Sequence, residues 1–167
     1  LHGRRQGHDQ ARERQVAQRL TDENSLRRAL LAFLAFSLTA SAIYLLNDLR
    51  DREEDRQHPL KRLRPLASGE LPVGVALVGL LVLIAGAAAV VSLLGVSTGI
   101  YLGIYALLNV AYSLGLKTIV ILDVLCISLG FVLRVLGGAA AIDVEVSSWL
   151  LLCTTFLALF LGFSKRR

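Results

Sequence analysis

The residues best suited to chemistry are Asn47, Asp48, Asp51 and Asp55, which form N-D-x-x-D-x-x-x-D directly after an apolar run. At about 100° per residue, these four side chains fall within a ~100° arc of one helical face. Carboxylates three and four residues apart repel, so clustering them is unfavourable unless something cationic sits among them. Magnesium suits the pattern: it takes a few carboxylates, keeps some water and completes its octahedron with phosphate oxygens. The chemistry implied is the gripping of a phosphorylated substrate. The plainer alternative is a solvated helix end whose acids are neutralised by Arg50, Arg52 and Arg56.

The loop downstream strengthens the first reading. It runs His58-Pro59-Leu60-Lys61-Arg62-Leu63-Arg64-Pro65-Leu66-Ala67-Ser68-Gly69. Pro59 ends a helix, after which Lys61, Arg62 and Arg64 can fold back towards an anion held at the acidic face. Arginine recognises phosphate in a bidentate manner, whereas lysine acts as a point charge. Basic residues beside a membrane also arise from topology alone, which needs no ligand.

The elements that must position these residues are apolar and long. Of the 167 residues, 54% are hydrophobic and 19% charged, and no charged residue stands between Glu70 and Lys117. A bilayer core needs about 20 apolar residues per helix, so that stretch alone can cross twice. Candidate spans are residues 29–47, 73–94, 98–114, 118–142 and 147–163. Their lengths and the lack of alternation favour helices over barrel strands. The expected fold is therefore all-α, a polytopic transmembrane bundle of about five spanning helices. Disorder, a disulfide scaffold and nucleic-acid binding are poor readings, because the net charge of +5 sits at the flanks of apolar runs.

Topology follows from the basic residues. Segment 48–70 carries six Lys/Arg and belongs on the cytoplasmic side of the cell membrane. Lys117 and Lys165-Arg166-Arg167 mark further inside ends, while the turn at 95–97 and the Asp143–Glu145 turn face outward. Residues 1–25 form a polar segment with five Arg, and this end conflicts with the alternation. The chain contains no Met, starts at Leu1 and stops just after an apolar run, so it reads as truncated at both ends. Cys126 and Cys153 lie inside apolar segments, where a thiol behaves as a small hydrophobe.

Polar residues within the spans are the remaining candidates. Asp123 and Arg134 are eleven apart, so they share a helical face about 16 Å apart along the axis. Ionisable groups at membrane depth are costly and face a cavity or a partner. Tyr101, Tyr105, Asn109 and Tyr112 fall within about 80° of one another on a helix, either as the polar wall of a substrate chamber or as an interhelical packing face with a hydrogen-bonded Asn. The packing reading is the one preferred.

The segment NDLRDREEDRQHPLKRLRPLASG resembles the first Asp-rich motif and following loop of the UbiA superfamily of intramembrane transferases. Within that family it is most similar to decaprenyl-phosphate phosphoribosyltransferase-like members. Tyr112-Ser113-Leu114-Gly115-Leu116-Lys117, Asp123, Gly130-Phe131-Val132-Leu133-Arg134 and Gly137-Gly138 fit the same resemblance. It covers roughly residues 17–167 and implies that residues 26–167 are part of a UbiA-type domain with its Asp-rich loop at 47–70. It implies that Asp48, Asp51 and Asp55 hold Mg²⁺ on a donor diphosphate, supported by Asn47. Lys61, Arg62 and Arg64, with Lys117 and Arg134, become candidate phosphate contacts, and Asp123 a second-site support. The implied reaction moves phosphoribosyl from 5-phosphoribosyl diphosphate to a polyprenyl phosphate. Alternatives are prenyl transfer from a prenyl diphosphate to a lipophilic acceptor, and an inactive membrane remnant or scaffold. Family members usually carry a further helix before residue 29 and several more beyond residue 167.

Overall fold

The computed structural model describes residues 22–115 and 120–164. Helix α1, Glu23–Arg50, is followed by short α2, Arg52–Gln57, a 3-10 turn at Lys61–Leu63, and short α3, Pro65–Ser68. Four longer helices complete the order: α4 Val73–Ser92, α5 Val96–Leu114, α6 Val120–Ala141 and α7 Ser148–Ser164. The helices form where apolar runs meet residues that tolerate or favour helix, and they stop at identifiable breakers. Pro72 precedes α4 and Pro65 opens α3, the positions where a missing N–H costs nothing. Gly95, at φ 105°, turns the chain so sharply that α5 starts at Val96, two residues earlier than expected from sequence.

Among the described residues four helices, α1, α4, α5 and α6, are long and apolar enough to cross a membrane. Helix α7, the fifth expected span, has 17 residues. At 1.5 Å per residue that is about 25 Å, the low end of what can span. The polar segment expected at 1–25 is partly taken up by α1, which begins at Glu23; residues 1–21 lie outside the described residues.

Helix α1 is the axis of the bundle, packing against α4, α5 and α6, while α6 continues the row to α7. The main core contains Ala35, Phe36, Ile43, Leu102, Tyr105 and Leu133. Phe36 and Tyr105 meet edge-to-face with ring centroids 5.3 Å apart. Gly137 makes this approach feasible: a Cβ there would lie 2.6 Å from Phe36 Cζ, well inside contact distance. Small residues at such crossings bring helices close where lipid supplies no hydrophobic drive. Large apolar side chains instead point outward, Leu81, Val82, Phe156 and Phe160 among them. Outward apolar surface is the expected arrangement for helices solvated by lipid tails.

The two ends of the bundle are tied by arginines. At the end holding the N-terminus of α1, Arg28 Nε donates to the carbonyl of Ala141, and its Nη2 donates to that of Leu94 at 2.8 Å. These carbonyls close α6 and follow α4, so one cation satisfies groups left over by two helices. At the opposite end, Arg50 Nη1 donates to the Ser113 carbonyl at 2.7 Å, joining the last turns of α1 and α5.

Candidate functional site

The acidic residues sit where α1 gives way to α2. Asp51 occupies the break, at φ −85° and ψ 5°, yet the hydrogen-bond ladder runs through it. Asp51 N donates to Asn47 O at 2.8 Å and Asp55 N donates to Asp51 O at 2.8 Å. The helical register expected from the spacing is therefore kept across the bend, and Asp48 and Asp55 remain near each other.

The loop then folds back by local contacts. His58 Nδ1 accepts from the backbone N–H of Leu60 and Lys61, at 3.3 and 3.4 Å, which sets the turn after Pro59. Arg52 Nε donates to Leu66 O at 3.2 Å and Arg56 Nε to Ala67 O at 3.1 Å, pinning α3 against α2. Leu66 and Ala67 are buried beneath this clasp. The result swings Arg64 over the acids. Its Nη1 donates to Asp48 Oδ1 at 2.9 Å and to Asp55 Oδ2 at 2.8 Å. Lys61 Nζ lies 3.7 Å from Asp55 Oδ1. Asp55 is nearly enclosed, with a side chain 3% exposed, whereas those of Asp48 and Arg64 are 38% and 43% exposed.

This division of labour differs from the plainer sequence alternative. Arg50, Arg52 and Arg56 hold backbone carbonyls, and the latter two also approach Glu53, at 3.9 and 3.2 Å. The cations brought to Asp48 and Asp55 are Arg64 and Lys61. Arg62 is exposed, and its side chain makes no hydrogen bond or ion pair among the described residues. Lys117 lies outside the described residues.

Two carboxylates converging on one nitrogen, open on one side, form a donor set of hard oxygens. Such a set fits magnesium, which is typically held by one or two carboxylates together with substrate phosphates. The described residues contain no group of three or more His, Cys, Asp or Glu side chains arranged around a single metal position. Among the described residues no all-protein cage is formed.

Beside the acidic face lies a cavity of about 170 Å³. One stripe of α1, at Ala40, Ile43, Tyr44 and Asn47, forms one wall. The i, i+3, i+4, i+7 spacing continues along that stripe to Asp48 and Asp51, so cavity and acidic face are successive turns of one surface. The facing wall is the stripe of α5 that carries Tyr105, Asn109 and Tyr112. Sequence reasoning preferred packing for this stripe. The structure shows packing, with Tyr105 in the core, and also places all three residues in the wall of the cavity. Tyr44 escaped notice, although its place one turn before Asn47 and Asp48 was a usable signal.

Asp123 and Arg134 are placed at different levels. Asp123 is buried and accepts from Tyr112 Oη at 2.7 Å, linking α5 and α6 near the acidic end. Arg134 donates to Tyr105 Oη, with its guanidinium carbon 5.0 Å from the Tyr105 ring centroid and 5.7 Å from that of Phe131. It borders a second cavity of about 330 Å³ that shares Tyr44, Tyr105 and Asn109 with the first. The structure does not bring Arg134 to the loop that carries Lys61 and Arg64.

Known proteins share this arrangement of sequence. The chain is 39% identical over 153 residues to the decaprenyl-phosphate phosphoribosyltransferase of Corynebacterium glutamicum, covering 90% of this chain and 46% of that protein. The protein of the same name from Mycolicibacterium smegmatis is 43% identical over 139 residues, covering 81% and 43%. That from Mycobacterium tuberculosis is 36% identical over 141 residues, covering 84% and 47%. The chain therefore spans about half the length of the curated relatives it matches. The model of the UbiA prenyltransferase family matches residues 16–164, and with its long apolar helices the chain is a multi-pass membrane protein belonging to that family.

Proposed function

We propose that this chain carries the diphosphate-gripping half of a membrane transferase that moves phosphoribosyl from 5-phosphoribosyl diphosphate to a polyprenyl phosphate. The observation that carries the reading is the pairing of Asp48 and Asp55 with Arg64 and Lys61 at a helix exit, next to a cavity. The relatives named decaprenyl-phosphate phosphoribosyltransferase support the choice of donor and acceptor. With six Lys/Arg, segment 48–70 is assigned to the cytoplasmic side, from which a water-soluble donor arrives. The lipid acceptor stays among the helices.

Asp48 and Asp55, the two carboxylates that converge, are the residues that would hold Mg²⁺, with Asn47 and Asp51 on the same helical face. When bound, the ion supplies neutralising charge for the departing diphosphate. The chain's own cations do related work. Arg64 and Lys61 already face the carboxylates, and an arriving diphosphate offers them denser negative charge, so they transfer to its oxygens. Arg62, exposed and unengaged among the described residues, joins them without breaking an existing contact. The acceptor phosphate oxygen then forms a bond to the sugar's anomeric carbon as the carbon–oxygen bond to diphosphate breaks. No protein nucleophile is required.

The test uses membranes bearing this chain within its full-length protein, polyprenyl phosphate and phosphoribosyl diphosphate labelled in the sugar. Label appearing in lipid, and lost on Asp48→Asn, is the expected result. Label entering lipid only from a prenyl diphosphate would reassign the donor. Transfer from neither, with no binding of pyrophosphate, would make the chain a scaffold or remnant.

A further inference from the structure

Within the reading just given, we propose that Asn109 is a specificity-determining residue: its side-chain oxygen accepts a hydrogen bond from a hydroxyl of the sugar carried by the diphosphate. The argument begins with the orientation of the amide. Asn109 Nδ2 donates to Tyr105 O at 2.8 Å. A backbone carbonyl can only accept, so the nitrogen must lie on that side and Oδ1 on the other. Asn109 lines the cavity, and Oδ1 has no hydrogen-bond partner among the described residues.

Across the cavity stands Asn47, whose side-chain amide also has no partner among the described residues. Asn47 precedes Asp48 and lies one turn, about 6 Å along the helix, from Asp51. A diphosphate held at the acids therefore presents its attached group to this cavity. Two facing amides at the mouth of an apolar bundle are a poor lining for an isoprenoid, because its C–H groups leave both amides without partners. A sugar hydroxyl both donates and accepts, and satisfies each. A site built to hydrogen-bond a hydroxyl also rejects analogues that lack it far more strongly than an apolar pocket rejects an added group. The volume of about 170 Å³ has room for one small ring, and the adjoining cavity of about 330 Å³ shares Tyr44, Tyr105 and Asn109 with it. A larger apolar groove of about 410 Å³ lies between α1, α4 and α5.

The experiment compares, in purified full-length protein with Mg²⁺, the affinities for phosphoribosyl diphosphate and for inorganic pyrophosphate. Asn109→Leu is expected to weaken phosphoribosyl diphosphate about tenfold while leaving pyrophosphate within twofold. Asn109→Ser separates the structural explanation, since a serine hydroxyl can still bond the carbonyl four residues back but cannot reach as Oδ1 does. It is expected to lose the same preference. Equal weakening of both ligands, no change in either, or a wild-type preference in Asn109→Ser would each overturn the assignment. If wild type binds pyrophosphate but prefers a prenyl diphosphate to the phosphoribosyl compound, the donor reading itself fails. If wild type prefers phosphoribosyl diphosphate and the variants keep that preference, only Asn109 is misassigned.

Discussion

Two arginines at opposite ends of the bundle make the same number of polar contacts and mean different things. Arg28 donates to two backbone carbonyls, Ala141 and Leu94, that terminate helices. Arg64 donates to two carboxylates, Asp48 and Asp55. Carbonyls at a helix end have few other suitors, and a cation there satisfies leftover acceptors and the helix dipole together. Carboxylates crowded on one turn attract any cation, and a guanidinium between them can be drawn off by a stronger anion. Arg28 is therefore a strap, whereas Arg64, on the proposed reading, would exchange its carboxylates for an arriving phosphate. The difference lies in the partner, because the side chain is identical.

That contrast can be broken in graded ways. Asp48→Asn is expected to have the largest effect, lowering phosphoribosyl transfer a hundredfold or more, on the order of losing one preorganised charge-stabilising group. Thermal unfolding in detergent should move little, since the Asp48–Arg64 ion pair is partly exposed and such pairs contribute about 1 kcal/mol or less. Arg28→Ala comes next: losing two charge-assisted contacts costs about 2 kcal/mol, or roughly thirtyfold in the folding equilibrium. Its transition should drop while pyrophosphate affinity stays unchanged, and an altered affinity would show that the two ends are coupled. Arg64→Ala is expected to weaken pyrophosphate about tenfold and to tighten Mn²⁺ binding measured without phosphate, because the competing guanidinium is gone. A fall in both would mark Arg64 as another strap. Arg62→Ala should be smallest, at most about threefold on pyrophosphate and nothing on stability, as befits an exposed charge.

Much of this molecule was legible in one dimension. The long helices follow from long apolar runs, and the Asp face follows from a spacing that survives the bend at Asp51. The helix Arg52–Gln57 does end just before Pro59, and Lys61 and Arg64 do fold back onto the acidic residues. The division among the loop's arginines was not legible, because Arg52 and Arg56 differ from Arg64 only in what the folded loop sets before them: Leu66 and Ala67 carbonyls in one case, carboxylates in the other. Arg28 gave no local sign of its role either, since its partners stand 66 and 113 residues away. The Tyr105–Asn109–Tyr112 stripe was visible as a stripe, but a stripe does not say whether it meets a neighbouring side chain or a cavity.

What the amino-acid order decided by itself is whatever depends on neighbours along the chain: helical periodicity, membrane crossing, turns at proline and glycine, and the acidic face. These are set by backbone sterics and by transfer of side chains from water, both of which act locally. Tertiary structure alone decided which cation answers which anion, and that α1, α5 and α6 leave a cavity with several polar groups in its wall beside the aspartates. Such pairings depend on distances across the fold, and electrostatic and hydrogen-bond energies fall away within a few ångströms, so no reading of spacing could assign them.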